Sequence, residues 1–172
     1  TWRRAMDHTP FHVIEHGMFE GDDANVPLKV QTAIGQYVGG RAEDIALIRS
    51  TTEGLSLVYH GLPLKAGDEI LLTTHDHYSH HESARLSAER SGASVRRVKV
   101  YDDASTASVD SLGWNWLAGI GPKTRVAGIT WVHTSTGIRL PVREMARALK
   151  AKHPDVLIVL DGVHGIGAVD ET

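Results

Sequence analysis

Four histidines crowd the stretch "ILLTTHDHYSHHESARL", residues 70–86: His75, His77, His80 and His81 follow directly on an apolar run. Imidazole suits zinc, and ligands this close together can share one ion. The competing chemistry is that one histidine serves an organic cofactor while the others face the rim or the helix surface. Three more segments put polar groups in the same kind of place, just after an apolar run: "RSTTEGLSLV", "WVHTSTGIRLP" and "VLIVLDGVHG".

Each of these segments has a chemistry of its own. In "RSTTEGLSLV" a strand, a turn of small hydroxyl residues and a helix start follow one another, with Thr51 or Thr52 as the expected N-cap. Free N–H groups at a helix start favour an anion, and threonine hydroxyls add donors. Glu53 in the first turn suits the helix dipole as well. The segment is not a Walker A loop, because it lacks G-x-x-x-x-G-K-[ST]. In "VLIVLDGVHG", Asp161 ends a run too apolar for an exposed edge strand. An ionised carboxylate at the rim of a buried sheet needs a cationic or hydrogen-bonding partner, such as a protonated pyridine nitrogen or a metal ion. Gly162 permits close approach to the backbone, and His164 is near enough in sequence to reach the same ligand. In "WVHTSTGIRLP", Thr134, Ser135 and Thr136 precede Gly137, in a loop able either to line a site or to lead into a helix. Trp114 and Trp116 read as packing residues.

The elements that must position these residues follow from periodicity. Val26, Val30, Ile34 and Val38 recur every fourth residue, which predicts a helix face ended by Gly39-Gly40. "IALIRS", "DEILLTTH", "SVRRVKV", "RVAGITWV" and "DVLIVLD" read as strands. Between them lie helical stretches: one with Leu55, Val58, Tyr59 and Leu62 on one side, "SHHESARLSAERSG" closed by Gly92, "SVDSLGWNWLAGI" with Leu112, Trp116 and Ile120 aligned, and one begun by Pro141. Alternation of this kind predicts an α/β, three-layer αβα architecture with a mostly parallel sheet. Ligands of such sheets bind beyond the carboxyl ends of the strands, where all four polar segments fall.

Composition narrows the classes. The chain has 172 residues, 41% hydrophobic, which suits one domain or part of one. Its net charge of −3 without a long basic run argues against nucleic acid or an anionic membrane as main partner. Cysteine is absent, so there is no disulfide, thiolate metal site or cysteine nucleophile. No apolar run approaches the roughly 20 residues of a membrane span. Residues 1–25 read as an N-terminal arm and 26–172 as the N-terminal part of a domain cut inside its fold. The expected compartment is the cytoplasm, or the periplasm if a leader has been removed.

Taken in order, "RSTTEGLSLV", "HDHYSHHESAR", "VHTSTGIRLPV" and "IVLDGVHGIG" resemble the class V aminotransferase-like enzymes, from about Pro27 onward. These are fold type I pyridoxal-phosphate (PLP) proteins that include cysteine desulfurases and isopenicillin N epimerase-like proteins. "DHYSHHES" and "DGVH" look closer to the epimerase-like branch. The resemblance implies a large PLP-binding domain, incomplete at its C-terminal end, and chemistry at an amino acid's α-carbon: epimerisation, C–S cleavage or transamination. It implies that Thr51 and Thr52 hold the phosphate, that His77 of the Asp76-His77 pair stacks on the pyridine ring, and that Asp161 pairs with the ring nitrogen. His164 would reach the phenolic oxygen, and Thr134 falls where desulfurases carry Asn.

The resemblance also implies a homodimer, and an anchoring lysine in a Ser/Thr-x-His-Lys context that this sequence does not contain. The remaining C-terminal part of the enzyme is therefore an expected partner, and the chain alone is expected to be inactive. Two other readings stand beside it. "HDHYSH" is similar to the H-x-H-x-D-H motif of metallo-β-lactamase-fold hydrolases, with Ser79 in place of the Asp, so a zinc hydrolase would use His75, His77 and His80. A catalytically inactive association module would need none of these groups.

Overall fold

The computed structural model describes residues 26–170; the arm expected over 1–25 lies outside them. The described residues divide into two compact units, 26–48 and 49–170.

In the first unit the spaced valines do form a helix, α1 (Val26–Val38). Along its stripe, Val30, Ile34 and Val38 are all exposed. What packs on α1 instead is the short 3-10 turn Ala42–Asp44, at Gly35, where a Cβ would meet the Arg41 backbone at 2.9 Å. The strand expected in "IALIRS" does not form. The segment has no ladder partner among the described residues, and Ile45 uses its carbonyl to accept from Gln31 Nε2 at 2.6 Å.

The second unit carries α2 (Thr51–Gly61), β1 (Glu69–Thr73), α3 (Tyr78–Ser91), β2 (Ser94–Val98), α4 (Val109–Ala118), β3 (Thr124–Thr130), α5 (Val142–Lys152) and β4 (Leu157–Asp161). All pairings are parallel, in the order β2-β1-β3-β4. Because side chains alternate across each strand, the sheet has two cores. One face packs Ile70, Leu72, Val126 and Val159 against Leu55 and Tyr59 of α2 and Ala84 and Ala88 of α3. The other packs Leu71, Ala127 and Ile129 against Leu112 and Trp116 of α4 and Met145 and Leu149 of α5. This is the expected three-layer αβα arrangement.

Local signals mostly hold. Gly92 ends α3 at φ 72, the left-handed conformation that glycine adopts without penalty. Pro141 stands one position before α5 rather than inside it. Two expectations fail. Ser50, not Thr51 or Thr52, caps α2: its side chain accepts from Glu53 N at 3.2 Å, which frees both threonines. The apolar run of β4 is at the edge of the described sheet, with Leu157 and Leu160 exposed, since no described strand lies beyond it. Of the two tryptophans read as packing residues, Trp116 is buried in the core and Trp114, two positions earlier, is 67% exposed.

Candidate functional site at the carboxyl edge of the sheet

Parallel strands deliver the segments after β1, β3 and β4 to one edge. Asp76 ties that edge together. Its Oδ2 accepts from Thr73 N at 2.7 Å at the end of β1, and its Oδ1 accepts from Thr130 N at 2.8 Å at the end of β3. The carboxylate is buried and spans two strands. Sequence reading gave Asp76 only as the neighbour of His77; its real office is to fix the turn that aims His77.

His77 is the N-cap of α3, with Nδ1 2.8 Å from Ser79 Oγ. The ring is half-buried, and its Nε2 bonds to nothing among the described residues. Asp161 is 3% exposed; Oδ1 accepts from Val163 N at 3.2 Å. No donor among the described residues reaches Oδ2, and no lysine or arginine pairs with this carboxylate. At the start of α2, the N–H groups of Thr51 and Thr52 have no acceptor among the described residues, because Ser50 has taken Glu53 N and Gly54 N. Glu53 is turned away from this opening by Arg49, its Oε1 3.1 Å from Arg49 Nη2. Thr134 lies exposed at the tip of a tight loop after β3, closed by Gly137 N donating to His133 O at 2.8 Å. His164 is exposed in the turn after β4. The segments after β1, β3 and β4 thus carry His77, Thr134, Asp161 and His164 beyond the carboxyl ends of parallel strands.

The four histidines do not converge on one point. Among the described residues no three His, Asp or Glu side chains gather as ligands. His75 stacks on Tyr101 with ring centroids 3.8 Å apart, and its Nε2–H donates to Tyr101 O at 3.1 Å. His81 reaches Thr73 O at 2.9 Å. His80 was expected at the rim or helix surface, yet it is fully buried. Its Nε2 is 2.7 Å from the Tyr59 hydroxyl, and Gly128 opposite leaves the space: a Cβ there would come within 2.5 Å of that hydroxyl and 2.8 Å of His80 Nε2. The signal for this was present in α3, where His80, Ala84, Ser87 and Ala88 form an inward stripe at helical spacing.

Burial and charge act together on these groups. Burial pushes the Tyr59 hydroxyl well above the ordinary tyrosine range, and the charges of Asp76 and Asp161 add to this. Burial lowers His80, against the opposing pull of Asp76 and Asp161. On the other face His133 is held down at about 4, mainly by burial. Its Nδ1 is 3.0 Å from the Tyr101 hydroxyl, which also lies 3.0 Å from Thr136 Oγ1. Among the described residues, four buried polar atoms have no partner: His80 Nδ1, Thr130 Oγ1, Trp131 Nε1 and His133 Nε2. Buried polar groups are normally paired, so a cluster of exceptions asks for an explanation.

A parallel sheet covered on both faces, with anion-seeking N–H groups and an unpaired buried carboxylate at its carboxyl edge, defines a protein of the ligand-binding α/β class. Comparison makes this specific. The family described as Aminotransferase class-V matches residues 26–170, and the chain belongs to that family. It is 28% identical over 141 residues to a cysteine desulfurase of Enterobacter sp. (strain 638), covering 80% of this chain and 33% of that protein. It is 26% identical over 143 residues to isopenicillin N epimerase of Streptomyces clavuligerus, covering 83% of this chain and 35% of the epimerase. A solved cystine C–S lyase, in complex with its product cysteine persulfide, superposes with TM-score 0.74 at 21% identity, over 98% of this chain and 43% of the lyase. A mutant of that lyase, with glycine covalently linked to its PLP cofactor, gives TM-score 0.71 at 21% identity, over 98% of this chain and 42% of the mutant. These likenesses establish the fold type I architecture. The chain spans about a third of the curated relatives' length.

Proposed function

We propose that the chain forms part of a PLP-dependent enzyme acting on an amino acid. The observation that carries this reading is Asp161: a carboxylate 3% exposed, with one oxygen free and no cationic side chain to offset its burial. Such a group is costly unless a positive charge arrives from outside the chain, and the protonated ring nitrogen of PLP fits that need. The first-turn N–H groups of Thr51 and Thr52 suit the phosphate, by the helix-start logic that favours anions. The half-buried His77 ring, held by Ser79 and the Asp76 bridge, offers its face to the cofactor ring. His164 is within reach of the phenolic oxygen side, and Thr134 is the loop residue left for a polar contact.

When bound, PLP supplies an electron sink for the substrate's α-carbon. The chain's own residues bind and orient it: Asp161 keeps the nitrogen protonated, the α2 start holds the phosphate, and His77 restricts the ring. We place the anchoring lysine outside this chain, because the lysines of the second unit are not near Asp161. Lys150 Nζ donates to Val156 O at 2.7 Å, ahead of β4 and thus at the opposite edge. Lys99 pairs with Asp102 at 2.7 Å beyond the outer strand β2. The names of the relatives favour C–S cleavage or epimerisation over other α-carbon chemistry, and cysteine-like substrates among amino acids. We place the active unit in a homodimer.

The test is a titration of the protein with PLP, followed by absorbance, beside a zinc assay. PLP binding at one per chain, without zinc, is the expected result. Stoichiometric zinc with no PLP binding would contradict it, and so would a borohydride-reduced PLP adduct on Lys65, Lys99, Lys123, Lys150 or Lys152.

A further inference from the structure

Ser79 follows His77 by two residues and stands where the H-x-H-x-D-H motif has its Asp. It is 4% exposed, and its hydroxyl has one partner among the described residues, His77 Nδ1 at 2.8 Å. Its backbone N–H donates to the same nitrogen at 3.4 Å, which is the capping contact of α3. One residue thus holds one side of the His77 ring with two groups. Nε2, across the ring, has no partner among the described residues and is absent from the buried unpartnered atoms, so it opens to solvent.

The donors decide which ring nitrogen carries the proton. A backbone N–H can only donate, whereas a hydroxyl turns to donate or to accept. The Ser79 N–H lies in the first turn of α3, where it has no partner within its own helix, and Nδ1 is the acceptor it finds. A proton on Nδ1 would face that N–H head-on and leave the amide orphaned. A bare Nδ1 accepts from the amide and from the hydroxyl together. In a neutral imidazole the proton then sits on Nε2.

We propose that Ser79 is a positioning residue for His77: its two donors fix the ring and its tautomer, so that the open side presents Nε2–H. Toward a ligand at this edge, His77 is a hydrogen-bond donor suited to an oxygen acceptor, with no lone pair on Nε2 to take up a proton. The tautomer is a property of the chain itself; its value for cofactor binding rests on the PLP reading above.

The experiment is imidazole ¹⁵N NMR on the protein at a pH of about 8.5, well above the ordinary histidine range, together with PLP titration of the same samples. The His77 signals are those lost in His77→Gln. In the wild-type protein the proton is on Nε2 and Nδ1 is bare. Ser79→Ala keeps the amide and removes the hydroxyl, so it moves the Nδ1 resonance and weakens PLP binding about fivefold, or ~1 kcal/mol. Ser79→Thr keeps the hydroxyl, so it returns the Nδ1 resonance to its wild-type position and PLP affinity to within about twofold. A proton on Nδ1, or an Nδ1 resonance indifferent to Ser79→Ala, would overturn the proposal. Unchanged PLP affinity in Ser79→Ala would overturn the positioning role, and so would equal losses in the Ala and Thr variants, which would mark packing at a buried position and not the hydroxyl. If the wild-type protein bound no PLP, the functional reading would fall, and the NMR would still decide the tautomer.

Discussion

The two ends of the same sheet treat buried polar groups in opposite ways. At the amino edge, Glu69 is held by Arg96 Nε and Nη2 at 2.8 Å each and by Thr124 Oγ1 at 2.7 Å, and Arg96 also reaches the Gly119 carbonyl. Asp68 beside it accepts from Lys65 N at 3.0 Å and pairs with Arg125 at 3.3 Å. At the carboxyl edge, Asp161 has no cation among the described residues, and within the same set His80, Thr130, Trp131 and His133 all carry unpartnered buried atoms. The strands, spacing and packing are shared, so the difference is not one of fold quality. A folded chain satisfies its polar groups where stability alone governs, and leaves them open where a ligand completes them.

The strongest way to break the contrast is to fill the space that the carboxyl edge requires. Gly128→Ala drives a methyl into the Tyr59 hydroxyl, His80 and Leu72. Overpacking of this kind is expected to cost about 3 kcal/mol in urea unfolding, and loss of less than 1 kcal/mol would show that the Tyr59–His80 contact yields freely. Next in size is Asp161→Asn. Removing a buried, cation-free charge leaves urea stability no lower than wild type, while PLP affinity falls about thirtyfold, or ~2 kcal/mol. A variant that lost stability and kept its PLP affinity would make Asp161 a structural residue.

Acid acts on the other face of the same edge. His133 titrates at about 4 in the folded protein against 6.5 for an ordinary histidine. The unfolded chain therefore takes up this proton first as pH falls. Its stabilising share is full above pH 6.5, and shrinks progressively toward pH 4. Between pH 7 and pH 5 the loss is expected to be about 2 kcal/mol, and His133→Gln should flatten that slope in denaturation curves at the two pH values. The smallest effect belongs to the amino edge. Glu69→Gln removes one arm of a partly exposed ion pair, costs about 1 kcal/mol, and leaves PLP affinity unchanged.

Much of this was legible from residue types. Asp161 and His77 stand after apolar runs that become β4 and β1, and parallel topology brings such positions to one edge whatever the details. What sequence could not supply was the depth of each group. His80 and His81 are neighbours in the same motif, but helix phase sends His80 under α2 and leaves His81 on Thr73 O. Ser50 took the cap from the threonines because its hydroxyl sits three residues before Glu53 N, a one-residue choice that composition does not decide. β4 looked central because it is apolar; strand order depends on long-range pairing, which a local pattern does not encode. Likewise, the stripe on α1 predicts the helix that forms, but periodicity specifies a face and not what covers it, and Val30, Ile34 and Val38 are exposed.

The most direct measurement is a crystal structure of the protein with PLP bound. It should show the phosphate against the Thr51 and Thr52 N–H groups, the ring against His77, and the ring nitrogen at Asp161 Oδ2. PLP bound away from Asp161, or a metal ion held jointly by His75, His77 and His80, would contradict the account.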